Sequence, residues 1–88
     1  MAGNFEVWLS PAAERDLERV NDPDASRIEK ALERLEADAR PKGAVKLQND
    51  VFRLRVGDYR IIYFVDDKEK AVVVTHIRRR TGSTYRRI

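Results

Sequence analysis

Eighty-eight residues with a 42% hydrophobic fraction can build one small core, and without a low-complexity segment the 38% charged fraction does not signal disorder. The chain has no cysteine and one histidine, which excludes disulfides and thiolate metal sites and argues against zinc; no run approaches a membrane span, no signal-peptide pattern opens the chain, and a cytoplasmic location without a membrane partner is expected. The net charge of +3 is divided unevenly: residues 1–44 hold 7 basic and 10 acidic side chains, residues 45–88 hold 11 and 5, and this clustering favours a polyanionic partner over a merely solvated surface.

Phe5, Val7 and Leu9 alternate with Glu6 and Trp8, the period of a half-buried strand. Ser10-Pro11 then reads as a helix N-cap followed by proline at the first helical position, with Ala13, Leu17 and Val20 as the apolar stripe and Asn21 as the end. Asp22-Pro23 repeats the start signal, and Ile28, Ala31, Leu32, Leu35 and Ala39 carry a second helix to about Ala39. The short link makes the pair an antiparallel helical hairpin. Arg15, Arg19, Arg27, Lys30 and Arg34 interleave with acids on the outer faces and read as a solvated helix surface. Pro41-Lys42-Gly43 breaks the pattern, and residues 46–50 lead into the next element.

Residues 51–65, VFRLRVGDYRIIYFV, are two strands joined by the Gly57-Asp58 turn. If Val56 pairs with Tyr59, then Arg55 lies opposite Arg60, Leu54 opposite Ile61 and Arg53 opposite Ile62. One face then carries Phe52, Leu54, Val56, Tyr59, Ile61 and Tyr63 and needs covering. The other carries Arg53, Arg55 and Arg60 with Val51, Ile62 and Phe64. Residues 66–69 form a polar turn, and the β-branched run over 71–77 is another strand. A four-residue loop pairing Val65 with Lys70 would set Arg60 opposite Thr75. It would put Thr75, Ile77 and Arg79 on the arginine face and turn His76 to the helix side; one residue of slippage reverses this. The tail, residues 78–88, RRRTGSTYRRI, has five arginines, one tyrosine and no acid. The expected fold is α+β in one domain over residues 1–88: an N-terminal strand, a helical hairpin and a three-stranded antiparallel meander, with both helices on one face of a small sheet.

The face left open suits phosphate, because guanidinium groups form forked, charge-assisted hydrogen bonds to phosphate oxygens. Phe64 and Tyr85 could stack on bases. Such a face could bind RNA or DNA, or it could cut RNA without a metal, since RNA carries its own 2′-hydroxyl nucleophile and needs orientation, charge stabilisation and proton transfer. Arginine does not serve as the base. Tyr85, beside Arg80, Arg86 and Arg87, is expected to ionise more readily than a free tyrosine. His76 is the other proton carrier, though a lone histidine late in an apolar strand is more often structural. Tyr59 and Tyr63 read as packing.

The helical hairpin, the segment KLQNDVFRLRVGDYRIIYFVDD and the arginine-rich tail with its tyrosine resemble the RelE/ParE toxin superfamily over nearly the whole chain. The most specific part is LxxxVFRLRVGDYRIIYxVDD. RelE-like members are ribosome-dependent endoribonucleases that cut messenger RNA in the ribosomal A site; ParE-like members poison DNA gyrase and lack the basic catalytic set. In the former, two basic residues lie on the strand matching residues 52–55, where this chain has Arg53 and Arg55. An arginine matches Arg60, and a further arginine precedes a tyrosine by six positions, the spacing of Arg79 and Tyr85. Arg78 or Arg80 could take the place of Arg79 if the strand end shifts. The resemblance therefore implies a metal-independent endoribonuclease without cofactor, with Arg60, Arg79 and Tyr85 catalytic and Arg53, Arg55, Arg78 and Arg80 holding RNA. It implies the ribosome, messenger RNA and a RelB-like antitoxin as partners. Family members can carry lysines at the positions of Arg53 and Arg55. A ParE-like gyrase inhibitor and a non-catalytic module binding nucleic acid or antitoxin are the alternatives.

Overall fold

The computed structural model describes residues 4–79 and runs β1 (Glu6–Leu9), α1 (Pro11–Glu18), α2 (Asp24–Ala37), β2 (Val45–Gln48), β3 (Val51–Val56), β4 (Tyr59–Asp66) and β5 (Ala71–Arg79). The class is α+β, as the sequence patterns indicate. The strands form one sheet in the order β1-β5-β4-β3-β2. β1 lies parallel to β5, and the other pairs are antiparallel, so the sheet is mixed and larger than a meander with a separate N-terminal strand. A parallel pair needs a long crossover, and everything between β1 and β5 supplies it.

α1 starts where the sequence places it. The Ser10 hydroxyl accepts from the Ala13 N–H (3.1 Å) and donates to the Thr75 carbonyl (3.0 Å), so one side chain caps the helix and fastens it to β5. The helix closes at Glu18 rather than Asn21, because the Arg19 and Val20 amides turn back to carbonyls of the last turn. Val20 reaches the core from outside the helix. At α2 the Asp22 carboxylate accepts from both the amide (3.1 Å) and the hydroxyl (2.7 Å) of Ser26. That helix stops at Ala37; Asp38 is extended, and Ala39 is buried beyond it.

β2 is a strand the sequence reading treats only as a lead-in. A turn with Asn49 at φ 30° folds it onto β3, with Val45 opposite Arg53, Lys46 opposite Phe52 and Leu47 in a bulge. All four of its residues are exposed, so the apolar–polar alternation of Val45-Lys46-Leu47-Gln48 buries no face. The β3–β4 hairpin has the register the Gly57-Asp58 turn predicts, from Val56 opposite Tyr59 to Arg53 opposite Ile62. Gly57 adopts φ 58°, a conformation glycine reaches without the cost of a Cβ.

Phe52, Leu54, Ile61, Tyr63, Val65, Val72, Val74 and Ile77 present one buried face of the sheet to Ala13, Ile28, Leu32 and Leu35 of the helices. The rings of Phe52 and Tyr63 stack at 5.7 Å, and the Tyr63 hydroxyl donates to the Ala39 carbonyl at 2.8 Å. Burial pushes the Tyr63 pKa up to about 12, so the phenol stays neutral. Arg40 closes this corner. Its guanidinium lies 5.2 Å from the Phe52 ring and forms two hydrogen bonds, 3.1 and 2.8 Å, to Asp67. The pair raises the Arg40 pKa and holds the Asp67 carboxyl below its ordinary value.

A candidate phosphate-binding face on the sheet

With both helices on one side, the opposite face of the sheet is left uncovered by the described residues. The β3–β4 register puts Arg53, Arg55 and Arg60 there, as the hairpin turn requires, with Val51, Ile62 and Phe64 alongside. Arg55 sits opposite Arg60. Like charges facing one another across a sheet destabilise it; both side chains are exposed, and water screens them.

The fourth arginine is not the one the sequence reading places. β4 and β5 pair from Asp66 opposite Ala71 to Tyr63 opposite Val74, then Ile62 lies opposite His76 and Arg60 opposite Arg78. The register shift leaves Thr75 as the extra residue of a β-bulge, its hydroxyl donating to the Ile62 carbonyl at 3.2 Å. The bulge exchanges the two faces of everything after it. Ile77, expected on the open face, is buried at 3% exposure, and Arg79 pairs with Tyr59 on the helix side. His76, expected on the helix side, and Arg78 lie on the arginine face. The physical reason is burial: an unbroken alternation would have put apolar Ile77 in water and His76 in the core. That conflict between Ile77 and His76 was the available signal. Arg80 and Tyr85 lie outside the described residues.

Arg78 is held at its base. The Asp16 carboxylate on α1 accepts the Ile77 N–H at 3.0 Å and lies 3.5 Å from Arg78 Nε. β1 ends opposite Val74, so the last residues of β5 have no strand partner on that side, and Asp16 satisfies the freed amide. Nothing in the local sequence marks this aspartate, which stands 61 residues from its partner. The His76 Nδ1 lies 3.3 Å from the Thr75 hydroxyl.

A second basic feature adjoins the first. β2 ends its pairing at Arg53, leaving the β3 edge free from Leu54 to Val56. A cleft of about 240 Å³ opens there against α2, with Arg27, Lys30, Arg34, Lys42 and Arg55 around a floor of Ala31, Leu54 and Val56. Three of the helix cations that read as a solvated surface therefore share one wall, and Arg55 joins the cleft to the sheet face.

The family profile described as the ParE toxin of the type II toxin-antitoxin system, parDE, matches residues 7–83. The chain belongs to this toxin family. No curated protein sequence matches it. A chain of the archaeal RelE–RelB complex from Pyrococcus horikoshii OT3 superposes on the toxin with a TM-score of 0.78 at 22% identity, covering 89% of this chain and 97% of that one. A chain of the RelBE2 toxin–antitoxin complex from Mycobacterium tuberculosis gives 0.77 at 24%, covering 91% and 95%. A chain of the chromosomal ParDE system from P. aeruginosa gives 0.71 at 15%, covering 90% and 99%. At these identities the superpositions establish the fold of the toxin, shared by RelE- and ParE-type structures alike.

Proposed function

We propose that this toxin is an endoribonuclease of the RelE type, cutting messenger RNA in the ribosomal A site by attack of the 2′-hydroxyl on the adjacent phosphate. The observation that supports it is the convergence of Arg53, Arg55, Arg60 and Arg78 at one end of one sheet face, from three adjacent strands. Such a set neutralises the charge that builds on a phosphorane, which is where electrostatic preorganisation contributes most. Arg60 and Arg78 sit side by side and act on the reacting phosphate. Arg53 and Arg55 hold the flanking backbone. Arg79, on the other face, passes its assigned role to Arg78.

Proton transfer needs another group, because arginine stays charged. His76 shares the face with the arginines, and an imidazole can both accept and donate a proton. It takes the proton from the 2′-hydroxyl in this proposal, and Tyr85 protonates the leaving oxygen or stacks on a base. By analogy with the RelE–RelB and RelBE2 complexes, the toxin has an antitoxin partner. A basic surface attracts an acidic, partly disordered segment.

Induction of the toxin in a bacterial host, with mapping of message ends on ribosomes, tests the proposal. Wild type leaves cleaved messages; Arg60→Ala combined with Arg78→Ala abolishes them. His76→Gln lowers the single-turnover cleavage rate by about 10²-fold or more while leaving RNA affinity unchanged. The second reading, inhibition of gyrase, draws on the ParE description of the matching family. Intact messages together with trapped gyrase–DNA breaks would establish it and overturn the nuclease.

A further inference from the structure

The arginines occupy only one end of the open face. Trp8 lies opposite Val73, and Val73 opposite Phe64, so a row of the sheet crosses three strands as Trp8, Val73, Phe64. Trp8 is 58% exposed and Phe64 38%, two of the few large apolar side chains in water among the described residues. Trp8 has water on this face because Val7 and Leu9, its neighbours in β1, turn toward the core. Side chains stand roughly perpendicular to a sheet. The two aromatic residues are two strand spacings apart, roughly 9–10 Å, with the smaller Val73 as the floor between them. Phe64 is two residues along β4 from Ile62, which sits between Arg53 and His76. Roughly 7 Å of strand therefore separates the aromatic row from the row containing Arg53.

We infer that Trp8 and Phe64 form a stacking platform for unpaired bases of a single-stranded RNA whose backbone is held by the neighbouring arginines. Three features favour this occupant. The platform is continuous with the arginine cluster on the same face, so a strand anchored there by its phosphates brings its next bases over the aromatic row. On the Arg53 side of the row the charge is positive, which matches a polyanion, while Glu6 and Asp66 in the row on its other side keep the phosphates toward the arginines. The apolar groups offered are flat rings around a shallow floor, and stacking on rings tolerates any base. In a duplex the same bases are stacked on one another and cannot reach the rings. The inference rests on RNA being the toxin's ligand but not on its cutting RNA.

Trp8 is the only tryptophan in the chain, so selectively excited tryptophan emission reports on this site alone. The full chain is titrated with a short unstructured oligonucleotide carrying 2′-O-methyl groups, which removes the nucleophile and separates binding from cleavage. Saturable quenching of Trp8 is expected with the single strand and not with a duplex of the same sequence. Affinity, read by anisotropy of a labelled strand, falls about tenfold or more in Phe64→Ala and in Trp8→Ala, while both variants, altered at exposed positions, melt as wild type does. Binding that leaves Trp8 emission unchanged and survives Phe64→Ala overturns the platform while leaving the nuclease reading in place. A Trp8 signal that responds to protein concentration or to the antitoxin, and not to the oligonucleotide, assigns the row to protein docking and overturns it as well. Quenching by the strand from a toxin that leaves messages intact retains the platform and removes the nuclease.

Discussion

Tyr63 shows how much one side chain can be asked to do in a core this small. Its ring stacks on Phe52, and its hydroxyl donates to the Ala39 carbonyl, tying β4 to the chain segment after α2. Tyr63→Phe keeps the ring but leaves that carbonyl without its donor. A loss of about 1–2 kcal/mol is expected in denaturant titration. Its raised pKa makes a second prediction. The unfolded phenol ionises near pH 10, the folded one near 12. The folded state therefore holds its proton longer, the Tyr63 contribution is complete below pH 10, and it is lost as pH rises from 10 to 12. Two pKa units correspond to about 2–3 kcal/mol. Unfolding free energy measured from pH 9 to 12 should fall more steeply in wild type than in Tyr63→Phe. The Arg40–Asp67 pair acts at the other extreme. The lowered Asp67 pKa means its contribution is present above the ordinary carboxylate range and lost as pH falls through the folded value.

At the scale of elements, the end of β5 decides what the site contains. Its bulge at Thr75 turns Arg78 and His76 outward, and two side chains from the α1 region hold that end in place. Ser10 bonds the Thr75 carbonyl, and Asp16 bonds the Ile77 amide and lies beside Arg78. In the proposed nuclease Asp16 is a positioning residue, and two variants separate its roles. Asp16→Ala leaves the amide without an acceptor and should cost about 1–2 kcal/mol of stability. Asp16→Asn can still accept that hydrogen bond but cannot pair with Arg78. It should retain most of the stability while lowering message cleavage, a split that a purely structural aspartate would not produce. Circular dichroism melts and single-turnover cleavage on ribosomes supply the two readings.

Across the whole molecule the charges sort by surface. Acids lie among the bases on the helices, while Arg53, Arg55, Arg60 and Arg78 gather at one end of the open sheet face, away from Glu6 and Asp66 at the other, and the cations of the α2 cleft adjoin them. A single-stranded polyanion lying on such a surface releases counterions in proportion to the phosphates neutralised. Each of Arg53→Ala and Arg55→Ala should reduce the slope of log affinity against log salt by about 0.7 if that arginine contacts a phosphate. Arg79→Ala, on the opposite face, should leave the slope unchanged. Titrations of the same oligonucleotide between about 50 and 300 mM salt, over which the Debye length falls from roughly 14 to 6 Å, distinguish the two faces.

By itself the sequence determined the local elements and the central hairpin. A serine marks a helix start by capping an amide of the first turn and a proline by its fixed φ, and a two-residue turn sets the pairing of the strands it joins. Arg53, Arg55 and Arg60 could therefore be placed on one face before any fold was known. The tertiary structure decided the rest. β1 finds β5 across more than sixty residues, and β2 forms because β3 offers it an edge. The β5 bulge forms because the sheet gains by burying Ile77 and freeing His76, an advantage that exists only once the helices define an inside. Asp16 reaches Arg78 for the same reason. These are contacts between distant segments, whose strength depends on burial and neighbours rather than on spacing along the chain.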